Sequence, residues 1–109
     1  MEASKHILNN YIAGRWVEAS SRETEAVVNP ATGELLSYVP FSNRRDLADA
    51  VQAAQAAFAD WRKVPVPRRA RILFKYQQLL VQHWDELAET ITLENGKSLT
   101  EAWRGAAGY

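Results

Sequence analysis

The side chains able to do chemistry in this sequence are two histidines, a scatter of carboxylates and one arginine cluster; there is no cysteine. Without cysteine the 109 residues hold no disulfide, no thiolate metal site and no thiol nucleophile. His6 and His83 lie far apart and lack the spacing of metal ligands. Glu86/Glu89 and Glu94/Glu101 read as solvated helix faces, with nothing beside them that marks acid–base work. Gly105 and Gly108 form a G-x-x-G with no preceding strand, so a dinucleotide loop is not supported. There is no G-x-S-x-G and no phosphate loop. Arg68, Arg69 and Arg71 fall in the first turn of a helix, the unfavourable end for cations. A phosphate or carboxylate partner would explain them, and a solvated first turn is the simpler reading. No complete catalytic constellation is present.

The totals narrow the classes further. Formal net charge is +0 and the pI about 6.7, without the basic excess that nucleic acid binding requires. No run of about 18 apolar residues exists, so no membrane-spanning helix is expected. Met1–Lys5 show no basic region followed by an apolar one, so no signal peptide is expected and the expected location is cytoplasmic. The length suits one small domain, which would bury roughly 60–70% of its unfolded surface.

The elements follow from periodicity and turn residues. Tyr11–Val17 reads as two short strands about a tight turn at Ala13-Gly14, with Tyr11 and Trp16 as aromatic anchors. Residues 1–10 are polar and expected to be loosely held. Ala26–Val28 and Leu35–Val39 flank Asn29-Pro30-Ala31-Thr32-Gly33-Glu34, a second hairpin. Ser42 or Asn43 caps a helix whose expected buried face is Leu47, Ala50, Val51, Ala54, Ala57, Phe58 and Trp61, with Asp46 and Asp49 on its polar side.

Val64-Pro65-Val66-Pro67 ends that helix and opens the longest amphipathic stretch. In it, Ile72, Leu73, Tyr76, Leu79, Leu80, Trp84, Leu87 and Ile91 share one face at helical period. A break is expected near His83 to Asp85, with Asp85 as the cap of the second piece, and Asn95-Gly96 ends it. Core packing is the reading of the whole stripe. Ser98 and Glu101 form a capping box for a last short helix that two glycines weaken. The pattern predicts hairpins over 11–39 and helices over about 43–62, 67–83, 85–95 and 99–104: an α+β class of two N-terminal β-hairpins followed by three to four helices.

The order of these pieces resembles the N-terminal end of the aldehyde dehydrogenase superfamily. The resemblance rests on Tyr11-Ile12-Ala13-Gly14-Arg15-Trp16, on Asn29-Pro30-Ala31-Thr32-Gly33-Glu34, on the alanine-rich helix ending Ala57-Phe58-x-x-Trp61, on Pro67-x-x-x-Arg71, and on Glu94-Asn95-Gly96-Lys97. Val64–Phe74, Tyr76–Leu80 and Glu94–Lys97 are most similar to methylmalonate-semialdehyde dehydrogenases, with a succinate-semialdehyde type as the alternative. The resemblance implies a fragment of the α/β aldehyde dehydrogenase fold. It also implies that the intact enzyme oxidises a semialdehyde with NAD and coenzyme A. The nucleophilic cysteine and most of the cofactor-binding region of the family come later and cannot be carried onto these residues, so no catalytic, cofactor-binding or metal residue is assigned. The chain by itself is expected to bind neither cofactor and to be inactive. Arg104-Gly105 resembles an Arg-Gly pair that the subgroup uses on the substrate carboxylate, but arrives four residues early. That implies a deletion, truncation or frameshift near the end and makes Arg104 the one candidate substrate residue. A non-enzymatic module that docks on a full-length paralogue or associates with itself is the rival expectation.

Overall fold

The structure is a computed structural model and describes residues 6–106. It divides into two compact units. The first runs up to Val27 and resumes over Leu35–Lys63; the second comprises Val28–Glu34 and the chain from Val64 onward.

The first unit is built around hairpins. β1 (Asn10–Ile12) and β2 (Arg15–Val17) pair antiparallel, Tyr11 opposite Trp16. Ala13 and Gly14 both take positive φ, at 53° and 76°, the pair that a type I′ turn demands. Alanine accepts that conformation at a cost, and the Tyr11 and Trp16 rings, 4.9 Å apart and tilted by 57°, help to offset it. β3 (Thr24–Val28) and β4 (Leu35–Pro40) form a second two-stranded sheet. The segment before β1 is not loose, as its polarity suggested. Ile7 makes a parallel bridge to Tyr38, the Leu8 N–H donates to the Tyr38 carbonyl at 2.9 Å and the Tyr38 N–H to the His6 carbonyl at 3.1 Å. Residues 1–5 lie outside the described residues.

α1 (Arg44–Trp61) starts at an Asn43 cap. The Asn43 side chain accepts from the N–H groups of Arg45 and Asp46, and the Asp46 carboxylate accepts in return from the Asn43 N–H at 3.0 Å. A cap of this kind is worth about 1 kcal/mol. Asp46 does more. It also accepts from the Ser20 hydroxyl at 2.6 Å and the Ser20 N–H at 3.0 Å, tying the loop before β3 to the start of α1. The placement of Asp46 on the solvated side is corrected: it is 7% exposed. The correction extends to the opposite face, because Leu47, Val51, Phe58 and Trp61, expected to be buried, are exposed.

In the second unit α2 (Val66–Gln82) carries Pro67 in its first turn and buries none of its residues; Leu73 is 61% exposed. The reading of the whole stripe as core is therefore overturned for α2. His83 separates α2 from α3 (Trp84–Asn95) and serves as the end of one and the start of the other. Its ring nitrogen lies 3.2 Å from Glu86, an exposed contact. Asp85 sits inside the first turn of α3 and does not cap it; its carboxylate instead accepts from the Trp103 indole. α4 (Leu99–Ala106) begins with the Ser98 hydroxyl accepting the Glu101 N–H at 3.3 Å. The helix continues through Gly105 to Ala106, past the end expected at 104; residues 107–109 lie outside the described residues. Ala88 of α3 and Ala102 of α4, both fully buried, are the buried apolar residues among those described.

The turn between β3 and β4 meets the end of α3. Asn29 is 8% exposed; its side chain accepts the Ala31 N–H, its N–H donates to Glu34 and its carbonyl accepts from Gly33. That network fixes Pro30. Gly96 ends α3 with φ 79°, and a Cβ placed on it would lie 3.0 Å from the Pro30 Cγ. Two sequence motifs 66 residues apart thus meet at a position where the positive φ and the nearby Pro30 ring both favour glycine.

Two outcomes follow. Hydrogen bonding from the Ser20 hydroxyl, then from the Asn43 N–H, holds the Asp46 carboxyl below the usual carboxylate range. A depressed folded value means that its stabilisation is fully present above the unfolded carboxylate value and is lost as pH falls through the folded one. In urea unfolding, Asp46→Asn is expected to lower the midpoint at neutral pH, with the gap to wild type closing only in acid; a gap independent of pH contradicts this. Gly96→Ala is expected to destabilise by about 1–3 kcal/mol. The cost should shrink in a Pro30→Ala background, where the methyl group has room; equal costs in both backgrounds would show that Pro30 is not the obstacle.

Candidate functional site

Arg104, the one residue with an expected substrate role, stands in the last turn of α4 with its side chain exposed. It lines an open groove of about 420 Å³ together with Leu99, Thr100 and Trp103. It makes no salt bridge with any described residue. A cation there also complements the helix dipole, worth about 0.3–1 kcal/mol, so its position has a structural explanation as well. Of groups that bond an organic carboxylate, the groove offers the Arg104 guanidinium and the Thr100 hydroxyl.

The arginines of α2 separate. Arg68 and Arg71 are exposed, while Arg69 is half-buried with its Nε shielded and without a hydrogen-bond partner. The expected solvated turn therefore describes two of the three. A second open cleft, of about 500 Å³, lies in the first unit, lined by Ile7, Glu18, Ser21, Arg22 and Thr24 among others. Glu18 and Arg22 bring opposite charges to it but form no salt bridge with each other.

Neither cleft holds a reactive constellation. Among the described residues no three of His, Cys, Asp and Glu gather closely enough to hold a metal ion. No helix of the described residues is long and apolar enough to cross a membrane. The sheets are two-stranded, and no described strand leads into a glycine-rich turn at a helix N-terminus, the cradle that a dinucleotide pyrophosphate needs. The described residues therefore offer no dinucleotide cradle of that kind. What the sequence reading missed is a side-chain cluster: Trp84, Asp85 and Trp103 join α3 to α4. Their separation of 18–19 positions gives no periodic signal, so nothing in the sequence pointed to it.

Comparison with known proteins supplies what the clefts do not. Residues 16–108 match the aldehyde dehydrogenase family. The chain is 65% identical over 103 residues to malonate-semialdehyde dehydrogenase 2 of Geobacillus kaustophilus, covering 94% of this chain and 21% of that protein. It is 66% identical over 96 residues to malonate-semialdehyde dehydrogenase of Bacillus pumilus, covering 88% and 20%. Among solved structures, a putative methylmalonate-semialdehyde dehydrogenase from Sinorhizobium meliloti complexed with NAD superposes with a TM-score of 0.88 at 36% identity, over 94% of this chain and 21% of the other. Succinate-semialdehyde dehydrogenase from Burkholderia pseudomallei gives 0.87 at 42%, over 92% and 21%. The chain spans about a fifth of the length of the relatives it matches. The family match over most of the chain, with superposition of the fold on solved relatives, places it: the chain belongs to the aldehyde dehydrogenase family.

Proposed function

We propose that these residues form the N-terminal fifth of an NAD-dependent, coenzyme A-acylating malonate- or methylmalonate-semialdehyde dehydrogenase, and that by themselves they do not catalyse. The observation that carries the reading is the 65% identity to a malonate-semialdehyde dehydrogenase over 94% of the chain. The 42% identity to a solved succinate-semialdehyde dehydrogenase, above the 36% to the methylmalonate enzyme, favours the second reading, a succinate-semialdehyde type. The higher identities to the malonate enzymes outweigh it.

In the intact enzyme NAD would take the hydride and coenzyme A the acyl group, on a cysteine thiolate that these 109 residues do not contain. The part assigned to this chain is structural. Its hairpins and helices would cover the cofactor-binding portion of a longer chain, on the same polypeptide or on a full-length paralogue, and a cytoplasmic location fits that task. The exposed apolar faces of α1 and α2 support this reading, because surfaces of that kind mark interfaces. Self-association through the same faces is the expected behaviour of the chain when nothing covers them. Arg104 is assigned to the substrate carboxylate, which its fork of donors matches in geometry.

The test is a chimera of the Geobacillus kaustophilus enzyme with its corresponding segment replaced by this chain. The chain alone should yield no NADH from malonate semialdehyde, NAD and coenzyme A, and the chimera should yield NADH in a coenzyme A-dependent manner. In the chimera Arg104→Gln should raise KM for the semialdehyde by about tenfold, the loss of roughly one charge-assisted hydrogen bond. Turnover by the chain alone, or a chimera that oxidises only succinate semialdehyde, contradicts the proposal.

A further inference from the structure

We infer that Trp84, Asp85 and Trp103 form a clasp that keeps α3 and α4 ordered as a helical hairpin whether or not anything covers the apolar faces of α1 and α2. The clasp is reciprocal. The Trp84 indole Nε1–H donates to the Trp103 carbonyl at 3.0 Å, and the Trp103 indole Nε1–H donates to the Asp85 Oδ1 at 3.1 Å. The two rings lie 5.5 Å apart at 48°, the tilted arrangement that aromatic pairs prefer. Each helix thus supplies a ring and an acceptor to the other.

α4 needs such a device. At eight residues it is well below the roughly 12–15 at which an isolated helix becomes marginal in water, and it carries Gly105 inside. Its own start is held by Ser98, whose hydroxyl accepts the Glu101 N–H and whose carbonyl accepts the Ala102 N–H at 2.9 Å. Ala88 and Ala102 have no bulk to hold the helices apart and are the fully buried apolar pair. The clasp closes over the side of that contact where Leu99 and Trp103 line a groove with Ala88. α2, in contrast, buries nothing and has no comparable tie along its length.

The inference does not rest on the proposed enzyme, and the test needs no activity. Amide hydrogen exchange on the full chain should give the slowest rates in α3 and α4 and fast rates in α2. Trp103→Phe keeps the ring but loses the donor, and Asp85→Ala loses the acceptor. Each should speed exchange in α4 by about 2- to 12-fold, the effect of losing one exposed hydrogen bond, and leave α1 unchanged. Asp85→Asn keeps an acceptor oxygen and should stay near the wild-type rate. Far-ultraviolet circular dichroism should show the paired-sign band of coupled indoles in the wild type, absent in Trp84→Phe. Unchanged α4 exchange in Trp103→Phe, equal acceleration in every helix, an Asp85→Asn variant as damaged as Asp85→Ala, or a wild type without the paired band each overturn the clasp.

Discussion

A helix with an apolar stripe gains most of its stability by burying that stripe against a partner surface, and in this chain the two longest helices leave much of theirs uncovered. α1 and α2 expose Leu47, Val51, Phe58, Ile72, Leu73, Tyr76 and Leu79. Fully burying one such side chain is worth about 1.5–3 kcal/mol, and roughly half of each is still exposed, so the unmet burial of these two faces is comparable to the whole stability of an ordinary domain. The rest of the structure has to be understood under that constraint. The elements that do hold together use short-range polar ties and small residues, not a large core.

Three such ties recur at the points where elements join. The Asp46 carboxylate gathers three donors, the Ser20 N–H and hydroxyl and the Asn43 N–H, and so joins a loop to the start of α1. The Asn29 network sets Pro30 against Gly96 and joins a hairpin tip to the end of α3. The indole clasp joins α3 to α4. Each fixes geometry at a low cost in apolar area. That is what is needed of a segment that presents preformed faces to a larger body, and it agrees with TM-scores of 0.87–0.88 to chains about five times as long.

Much of the fold was legible because its signals are local. Ala13-Gly14, Asn29–Gly33, Asn43 and Gly96 announce turns and caps through backbone preferences that operate over a few residues. Periodicity also showed which residues share a helix face. It could not say whether that face is covered, since a stripe looks the same in sequence whether its partner is near or absent. That is why Leu73 and Phe58 were expected in a core and are found exposed. Asp46 was misplaced for a related reason: helical position put it with the polar side, while the Ser20 hydroxyl that buries it comes from 26 residues away. For the candidate site the sequence offered only the expectation at Arg104 and the family motifs, because the chain contains no cysteine, the residue type the resemblance makes the nucleophile.

The central claim is that the apolar faces of α1 and α2 are the contact surface of a larger aldehyde dehydrogenase body. The direct measurement is oxidative footprinting of Phe58, Leu73 and Tyr76, in the chain by itself and in the chimera with the remainder of the Geobacillus kaustophilus enzyme. The account predicts heavy labelling of all three in the chain at low concentration and strong protection in the chimera. Equal labelling in the two would show that nothing in the larger body covers these faces, and would contradict the account.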